Sequence, residues 1–315
     1  MKKFFILMSI FLVLLTGCQS NKPVETNNSK EVAQAESDKK KVTTTTSFLY
    51  DMTKVLAGDY VDVDLIIPAG EDPHLYIPKT NDAKKISDAD LVLFHGLHFE
   101  GKMVDILEKT GVNLSENFPK EKLGEMDQDG EIIVDPHFWF DISLYKMATE
   151  NAAKALSELV PEHKTEIEEN LKNYLKELDE LDEYNKTRLA EIPENVRFLI
   201  TPHDAFNYFS RAYGIEVVAP QGVSTDSEVA NKDIEDTANF IVEKKVPAIF
   251  AESTTDPARM EKLRELCKAK GFDVEVISGD GNELFSDSLA PEGQSGDNYI
   301  DMYKHNIDLI VNNLK

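Results

Sequence analysis

The feature that most constrains the fold of this chain is an alternation of short β-branched runs with helical patterns from residue 42 onward. The first strands are predicted at 42–46, 61–67 and 91–94, with a helix at 48–56. Such alternation predicts right-handed βαβ units and a largely parallel sheet. In that α/β architecture ligands bind at the carboxyl ends of the strands. The loops that follow strands are therefore where we look for a site.

A long charged helical pattern at 162–191 follows Pro161 and a predicted helix at 144–159. A helix of about 30 residues would span about 45 Å, longer than one domain. It is either a rod connecting two domains or part of a coiled coil, and its few apolar heptads favour the rod.

The second half repeats the βα rhythm. Its predicted strands are 196–200, 216–218, 248–251 and 274–277, and its predicted helices are 204–212, 228–244, 257–269 and 299–314. About 275 residues exceed the usual single core, so two βα domains are expected. The predicted division is a signal peptide at 1–17, a tether at 18–41, an N-terminal metal-binding domain at 42–160, a connecting helix at 161–192 and a C-terminal metal-binding domain at 193–315.

The N-terminus has the pattern of an export signal. A basic start precedes an apolar run at 4–15, which is too short to span a bilayer as a stable helix. The run ends in Leu15-Thr16-Gly17-Cys18, which resembles the bacterial lipobox. This predicts cleavage before Cys18 and acylation of its thiol, which anchors a protein without a transmembrane helix. The polar stretch that follows is predicted to be a flexible tether.

The charge of the chain excludes one class of partner. The formal net charge of −24 becomes about −26 when Lys2 and Lys3 leave with the signal peptide, because no acid leaves with them. Nucleic acid is therefore a poor partner, since its sequence-independent binding needs clustered lysine and arginine. Cys267 would be the one thiol left after acylation of Cys18, so neither an intrachain disulfide nor a cysteine-rich metal site is expected.

A repeated sequence motif indicates metal binding. Asp-Pro-His followed by an apolar and an aromatic residue occurs at 72–76 and again at 135–139. Proline fixes the backbone just before each histidine and lowers the entropy lost in holding it. We therefore predict that His74 and His137 bind one ion, with Asp135 and Pro136 setting the approach of His137.

Two further candidates follow predicted strands of the second half. His203 comes directly after Pro202, and Asp287 lies in the loop after the last strand. The candidates thus come as two from each half and would converge in the cleft between the domains. The other histidines, for which hydrogen-bonding or surface roles are favoured, are His95, His98, His163 and His305.

Several motifs together resemble one family. They are Asp-Pro-His-Leu-Tyr at 72–76, Asp-Pro-His-Phe-Trp-Phe-Asp at 135–141, the run from Pro-His-Asp to Tyr-Gly at 202–214, Asp-Ser-Leu at 287–289 and the run at 299–306. The chain resembles the metal-binding lipoproteins of manganese and zinc ABC transporters, the cluster A-I solute-binding proteins.

That resemblance implies four metal ligands: His74, His137, His203 and Asp287. It also implies a stiff connecting helix, a monomer anchored by lipid outside the cytoplasm, and an ABC permease with its ATPase as partners.

The identity of the metal stays open between manganese, zinc and iron. The family's third ligand is histidine or glutamate, and His203 leaves zinc open. A histidine-rich acidic loop, common in zinc-dedicated members, is missing before the second Asp-Pro-His, which favours manganese. The Irving–Williams order favours zinc, so manganese loading would depend on availability and on coordination geometry, including a bidentate Asp287.

Each ligating imidazole needs a partner for its other nitrogen. Asp141, Asp204 and Glu252 are the candidates, with Asp141 assigned to His137. An enzyme is not expected, because four protein ligands leave little room for the open position that a metallohydrolase needs. An adhesin role is a secondary alternative.

Overall fold

The computed structural model describes residues 39–128, 131–279 and 281–315. The predicted signal peptide, Cys18 and all but the last residues of the predicted tether lie outside these ranges. Within the described ranges, no helix has both the length and the apolar character that a membrane span requires.

A four-stranded parallel sheet forms the centre of the first half. Its strands are β1 (Lys40–Thr44), β2 (Val61–Leu65), β3 (Leu91–Phe94) and β4 (Val112–Asn113), in the order β2-β1-β3-β4. Val42 of β1 pairs with Val63 on one side and Leu91 on the other. The helices of this half are α1 (Ser47–Ala57), α2 (Thr80–Asp88) and α3 (Val104–Thr110). The predicted α/β class with mainly parallel sheets is confirmed.

Several short elements were not predicted from the sequence. They are α2, α3, β4 and an antiparallel hairpin of β5 (Glu125–Gln128) and β6 (Glu131–Val134). Helix α2 buries only Asp82 and Ile86, so it has almost no apolar stripe to show at a helical period. Strand β4 has two residues, too few for an alternating pattern.

Two long helices follow the hairpin, α4 (Ile142–Leu159) and α5 (Lys164–Leu189), with one 3₁₀ turn at Pro161–His163 between them. Helix α5 has 26 residues and is therefore about 39 Å long. It packs along α1 and α4 of the first half and along the last helix, α9 (Tyr299–Leu314). The apolar face of α5 is thus covered by helices of its own chain, as expected for the rod rather than the coiled coil.

The second half holds two parallel strand pairs. Strand β7 (Phe198–Ile200) pairs with β8 (Glu216–Val218), and β9 (Ala248–Phe250) pairs with β10 (Glu275–Ile277). Its remaining helices are α6 (Asn207–Tyr213), α7 (Asn231–Lys244) and α8 (Ala258–Ala269). Single bridges between His203 and Gln221 and between Glu252 and Leu284 continue the pairs beyond the strand ends.

The largest hydrophobic cluster includes residues of both halves, among them Phe48, Trp139, Leu178 and Phe206. Helix α9 secures the turn that follows His137, because its tyrosine hydroxyls donate hydrogen bonds to two carbonyls of that turn. These bonds run from Tyr299 to Trp139 at 2.6 Å and from Tyr303 to Phe140 at 2.8 Å. The last helix of the chain therefore supports the middle of its sequence. The domain boundaries given above stay a prediction.

Candidate metal centre

The two Asp-Pro-His motifs have the same local structure. Oδ1 of Asp72 accepts the backbone N–H of His74 at 2.9 Å, and Oδ1 of Asp135 accepts that of His137 at 2.9 Å. An aspartate that bonds the backbone two residues ahead is a standard turn device, and the proline between them restricts the backbone further. The repetition in sequence thus produces two histidines presented in the same way.

Four buried side chains meet where the two halves face each other. His74, His137, His203 and Asp287 each offer a ligand atom, and these atoms lie within 4.8 Å of one another. Nε2 of His137 is 3.4 Å from Nε2 of His74 and 3.3 Å from Oδ1 of Asp287, while Nε2 of His203 is 3.2 Å from Oδ2 of Asp287. His74 is 6% exposed and the other three are fully buried. The structure brings together the four residues predicted as ligands.

Some polar atoms of this cluster lack a hydrogen-bond partner within the described ranges. They are both carboxylate oxygens of Asp287 and Nε2 of His203, all of them buried. Burying such atoms without a partner is costly. A cation among them would satisfy all three. Imidazole nitrogens and a carboxylate form a donor set that suits divalent transition metals.

Two carboxylates fix the outer nitrogens of the rings. Nδ1 of His137 donates to Oδ1 of Asp135 at 2.7 Å, and Nδ1 of His203 bonds Oε2 of Glu252. Such partners orient ligating histidines and raise their basicity. Glu252, one of the three predicted partners, lies two residues beyond β9.

The other two predicted partners lie elsewhere. Asp141 does not meet His137 but caps the N-terminus of α4, where it accepts the backbone N–H groups of Ser143 and Leu144. A carboxylate there satisfies amides that the first helical turn leaves free, and Asp135 is nearer to the ring. Asp204 makes no hydrogen bond to a histidine ring of the cluster among the described residues, and burial raises its pKa to about 6.

The pKa values of the four clustered side chains are shifted in different directions. Burial lowers the pKa of His74 to about 3. Burial also acts to lower the pKa of His137, but the charges of Asp135 and Asp287 outweigh it and raise that pKa to about 9. The pKa of His203 is raised well above its ordinary value, because Glu252 and Asp287 together outweigh its burial. The neighbouring imidazoles hold the pKa of Asp287 well below its ordinary range against the opposing effect of burial.

The remaining histidines lie outside this cluster of ligand atoms. Buried His95 bonds the hydroxyl of Thr46 through Nε2 at 2.7 Å, and His98 is exposed. The ring of His163 stacks on Tyr60, and Nε2 of His305 contacts the carbonyl of Glu283 at 3.0 Å. These placements agree with the hydrogen-bonding and surface roles that we expected.

Contacts between the two halves, which no sequence pattern predicted, also hold the metal centre together. Trp139, two residues beyond His137, donates from Nε1 to the carbonyl of Ser286, beside Asp287, at 2.9 Å. Thr225 and Asn207 donate to Asp72 and Asp135 from the second half. Trp139 and Ser286 are 147 residues apart in the sequence, and Asp135 and Asn207 are 72 apart. No local sequence pattern could therefore have predicted these contacts.

Comparison with known proteins decides the family. The model of the family described as ZnuA, zinc-uptake complex component A periplasmic, matches residues 42–313. The chain belongs to this family, the metal-binding solute-binding proteins of manganese and zinc ABC transporters. It is 35% identical to the manganese-binding lipoprotein MntA of Bacillus subtilis, over 96% of this chain and 95% of the relative. It is 38% identical to the zinc-binding protein TroA of Treponema pallidum, over 86% and 87%.

Solved structures agree with that assignment. A TroA structure studied for its metal-binding specificity has a TM-score of 0.87 and 57% identity, covering 88% of this chain and 100% of its own. The periplasmic zinc-binding protein TroA from Treponema pallidum has a TM-score of 0.83 and 37% identity, covering 88% and 99%. The cluster A-I family consists of solute-binding proteins rather than enzymes, which agrees with the expected lack of catalysis.

Proposed function

We propose that this protein captures a divalent transition metal ion, manganese foremost, outside the cytoplasm and delivers it to an ABC permease. The observation that carries the proposal is the convergence of three imidazoles and one carboxylate on one buried point. Three neutral imidazoles and one carboxylate leave a bound divalent ion with a net charge of +1, which accounts for the buried carboxylate. His74, His137, His203 and Asp287 are the proposed ligands.

The geometry of Asp287 favours manganese. One of its oxygens lies near His137 and the other near His203, so both can face a single ion. Bidentate binding with three imidazoles gives at least five donor atoms. Zinc in closed protein sites is almost always tetrahedral, whereas oxygen donors and higher coordination numbers suit manganese. MntA of Bacillus subtilis, a manganese-binding lipoprotein by name, supports the same choice.

Zinc is the second candidate, and iron is a third. His203 supplies a third imidazole, which zinc binds well, and the Irving–Williams order places zinc above manganese at any site of this kind. TroA of Treponema pallidum, which resembles this chain at 38% identity, is named a zinc-binding protein.

The proposed setting follows from the N-terminal motif and from the relatives. We propose that the signal peptide is removed before Cys18, that lipid on Cys18 anchors a monomer to the extracytoplasmic face of the cell membrane, and that the permease and its ATPase receive the ion. Relatives named as lipoproteins of ABC transporters support this setting. An adhesin or a metallohydrolase has no comparable support, since a hydrolase needs an open metal position.

Elemental analysis of protein purified from its native host without added metal tests the proposal. We expect one equivalent of manganese per chain, and a His137→Ala variant purified in parallel should carry almost none. One equivalent of zinc would transfer the proposal to the second candidate. A wild-type protein without a transition metal, and without affinity for one on titration, would contradict the function itself.

A further inference from the structure

The four proposed ligands are not held equally firmly. His203 is fixed by Glu252, and His137 by Asp135, through the outer nitrogen of each ring. Nδ1 of His74 has no such partner among the described residues, and His74 is the one ligand of the four with measurable exposure. It lies in the His74 loop, residues 66–79, which contains neither helix nor strand. His74 is thus the ligand whose position depends most on its loop.

The His74 loop belongs to the first half but is tied to the second half at its centre. Oδ1 of Asp72 accepts the N–H of His74 at 2.9 Å, while its Oδ2 accepts the hydroxyl of Thr225 at 2.6 Å. The N–H of Gly70 donates to Oγ of Ser288, the residue after Asp287, at 2.7 Å. Two cross-half hydrogen bonds therefore hold the segment of the loop just before His74.

The outer face of the loop is open to solvent. Leu75 and Ile77, on either side of buried Tyr76, are 42% and 66% exposed, so the loop forms part of the protein surface beside His74. Inside, by contrast, His137 and His74 lie against the rings of Trp139 and Phe99, with centroids 5.2 and 5.1 Å apart. Of the four proposed ligands, His74 is thus the one that reaches solvent.

We propose that the His74 loop is the exit gate for the metal, and that Thr225 is the positioning residue that keeps it closed. The Thr225 hydroxyl holds the Asp72 carboxylate, which in turn holds the backbone of His74. Release then requires the loss of two hydrogen bonds and one metal ligand, while His137, His203 and Asp287 keep their places. This inference rests on the proposed metal-binding function and adds the route and the control of release.

The second Asp-Pro-His motif, at 135–137, supports the proposed gate by contrast. Oδ2 of Asp135 also accepts a bond from the second half, from Nδ2 of Asn207 at 3.1 Å. Asp135, however, bonds its histidine through both the backbone and the ring. The two Asp-Pro-His motifs thus differ in the hydrogen bond from the aspartate to the histidine ring, which only Asp135 makes. Because His74 lacks this bond, it is the ligand that moves first.

The test compares metal release from wild type and Thr225→Val, which removes the hydroxyl at nearly constant volume. Manganese-loaded and zinc-loaded proteins are each mixed with excess fluorescent chelator in a stopped-flow instrument. A hydrogen bond to a charged acceptor is strong enough that its loss should speed release about tenfold or more, with one ion still bound per chain. Thr225→Ser keeps the hydroxyl and should restore slow release.

Thr237→Val is the matched control. Thr237 is a buried threonine of the same half whose hydroxyl bonds the carbonyl of Asp233 within α7 at 2.7 Å, so release should stay within twofold of wild type. Hydrogen exchange adds a local readout. In metal-free Thr225→Val, the His74 and Leu75 amides should exchange faster than in wild type, while amides of α7 and α8 should not change.

The outcomes separate the gate from the function. Thr225→Val that releases metal within twofold of wild type, or Thr237→Val that accelerates release equally, would overturn the gate while leaving metal binding intact. Wild-type protein that binds neither ion would instead contradict the proposed function. If Thr225→Val does not fold, Ser288→Ala removes the acceptor for the Gly70 N–H and should accelerate release, and an unchanged rate would again overturn the gate.

Discussion

One carboxylate oxygen of Asp135 accepts two hydrogen bonds from His137. Its Oδ1 lies 2.9 Å from the backbone nitrogen and 2.7 Å from Nδ1 of the ring. The side chains of His137 and Asp135 are both buried, so water has little access to either bond. The carboxylate holds Nδ1 and so orients the ring with Nε2 facing the other proposed ligands. Asp135, rather than Asp141, therefore orients the ring of His137.

Replacing Asp135 by alanine should weaken metal binding, whereas the same change at Asp141 should not. Loss of a carboxylate that orients a ligating histidine typically costs about 10- to 100-fold in metal affinity. Asp141→Ala removes a helix cap instead and should lower the free energy of unfolding by about 1 kcal/mol. Competition titrations with a chelator measure the first effect and urea denaturation the second. Equal losses of affinity in the two variants would contradict these assignments.

His137→Ala should abolish tight binding. Removal of a ligand itself should cost more than the roughly 100-fold upper end seen for its supporting residues. His305→Ala is a suitable control, because His305 lies on α9, where its Nε2 bonds a backbone carbonyl and its ring packs on Phe285, outside the cluster of proposed ligands. Isothermal titration with manganese and with zinc compares the two variants. Near-native affinity in His137→Ala would refute the proposed ligand set.

The sequence was most informative where one physical cause acts locally. Helix α5 was predicted because its apolar positions recur at helical spacing over many residues. The histidines at 74 and 137 were found because proline and aspartate leave the same local signature twice. The position of His74 beyond β2 also follows from a general rule, since ligands gather at the carboxyl ends of parallel strands, whereas His137 follows β6, a strand of the antiparallel hairpin.

What escaped prediction depends on contacts between distant parts of the chain. Asp72 and Thr225 are 153 residues apart, and nothing around Thr225 distinguishes it from other turn threonines. The choice between Asp135 and Asp141 failed for a different reason. Both carboxylates are close to His137 in sequence, but the helix that begins at Ile142 needs a cap, and that need engages Asp141.

Metal binding should produce only a small change of shape. Helix α5 packs on α1, α4 and α9, and the main hydrophobic cluster includes residues of both halves. A wide rotation would have to break that packing, and close-packed interiors resist continuous deformation. Small-angle scattering of metal-free and manganese-loaded protein should give the same radius of gyration within error. A large domain rotation between the two states would contradict the role given to α5.

Metal binding should release close to two protons at pH 7. The pKa of His137 is raised to about 9 and that of His203 well above its ordinary value in the metal-free protein, so we expect both rings to carry a proton at pH 7. The pKa of His74 is lowered to about 3, so that ring is already neutral. Three ligating imidazoles therefore lose only two protons between them, because a metal must replace each proton on a nitrogen that binds it.

The sign of the pH dependence follows from these values. Protonation of His137 stabilises the metal-free fold below pH 6.5, and this contribution is lost as the pH rises through about 9. Protons compete with the metal for the same nitrogens, so metal affinity should fall as the pH is lowered. Between pH 8 and pH 6, each proton that the metal displaces should lower the affinity about tenfold per pH unit. Calorimetric titrations in buffers of different ionisation enthalpy count the protons directly. A count near zero, or affinity unchanged down to pH 4.5, would contradict a site built from His137 and His203.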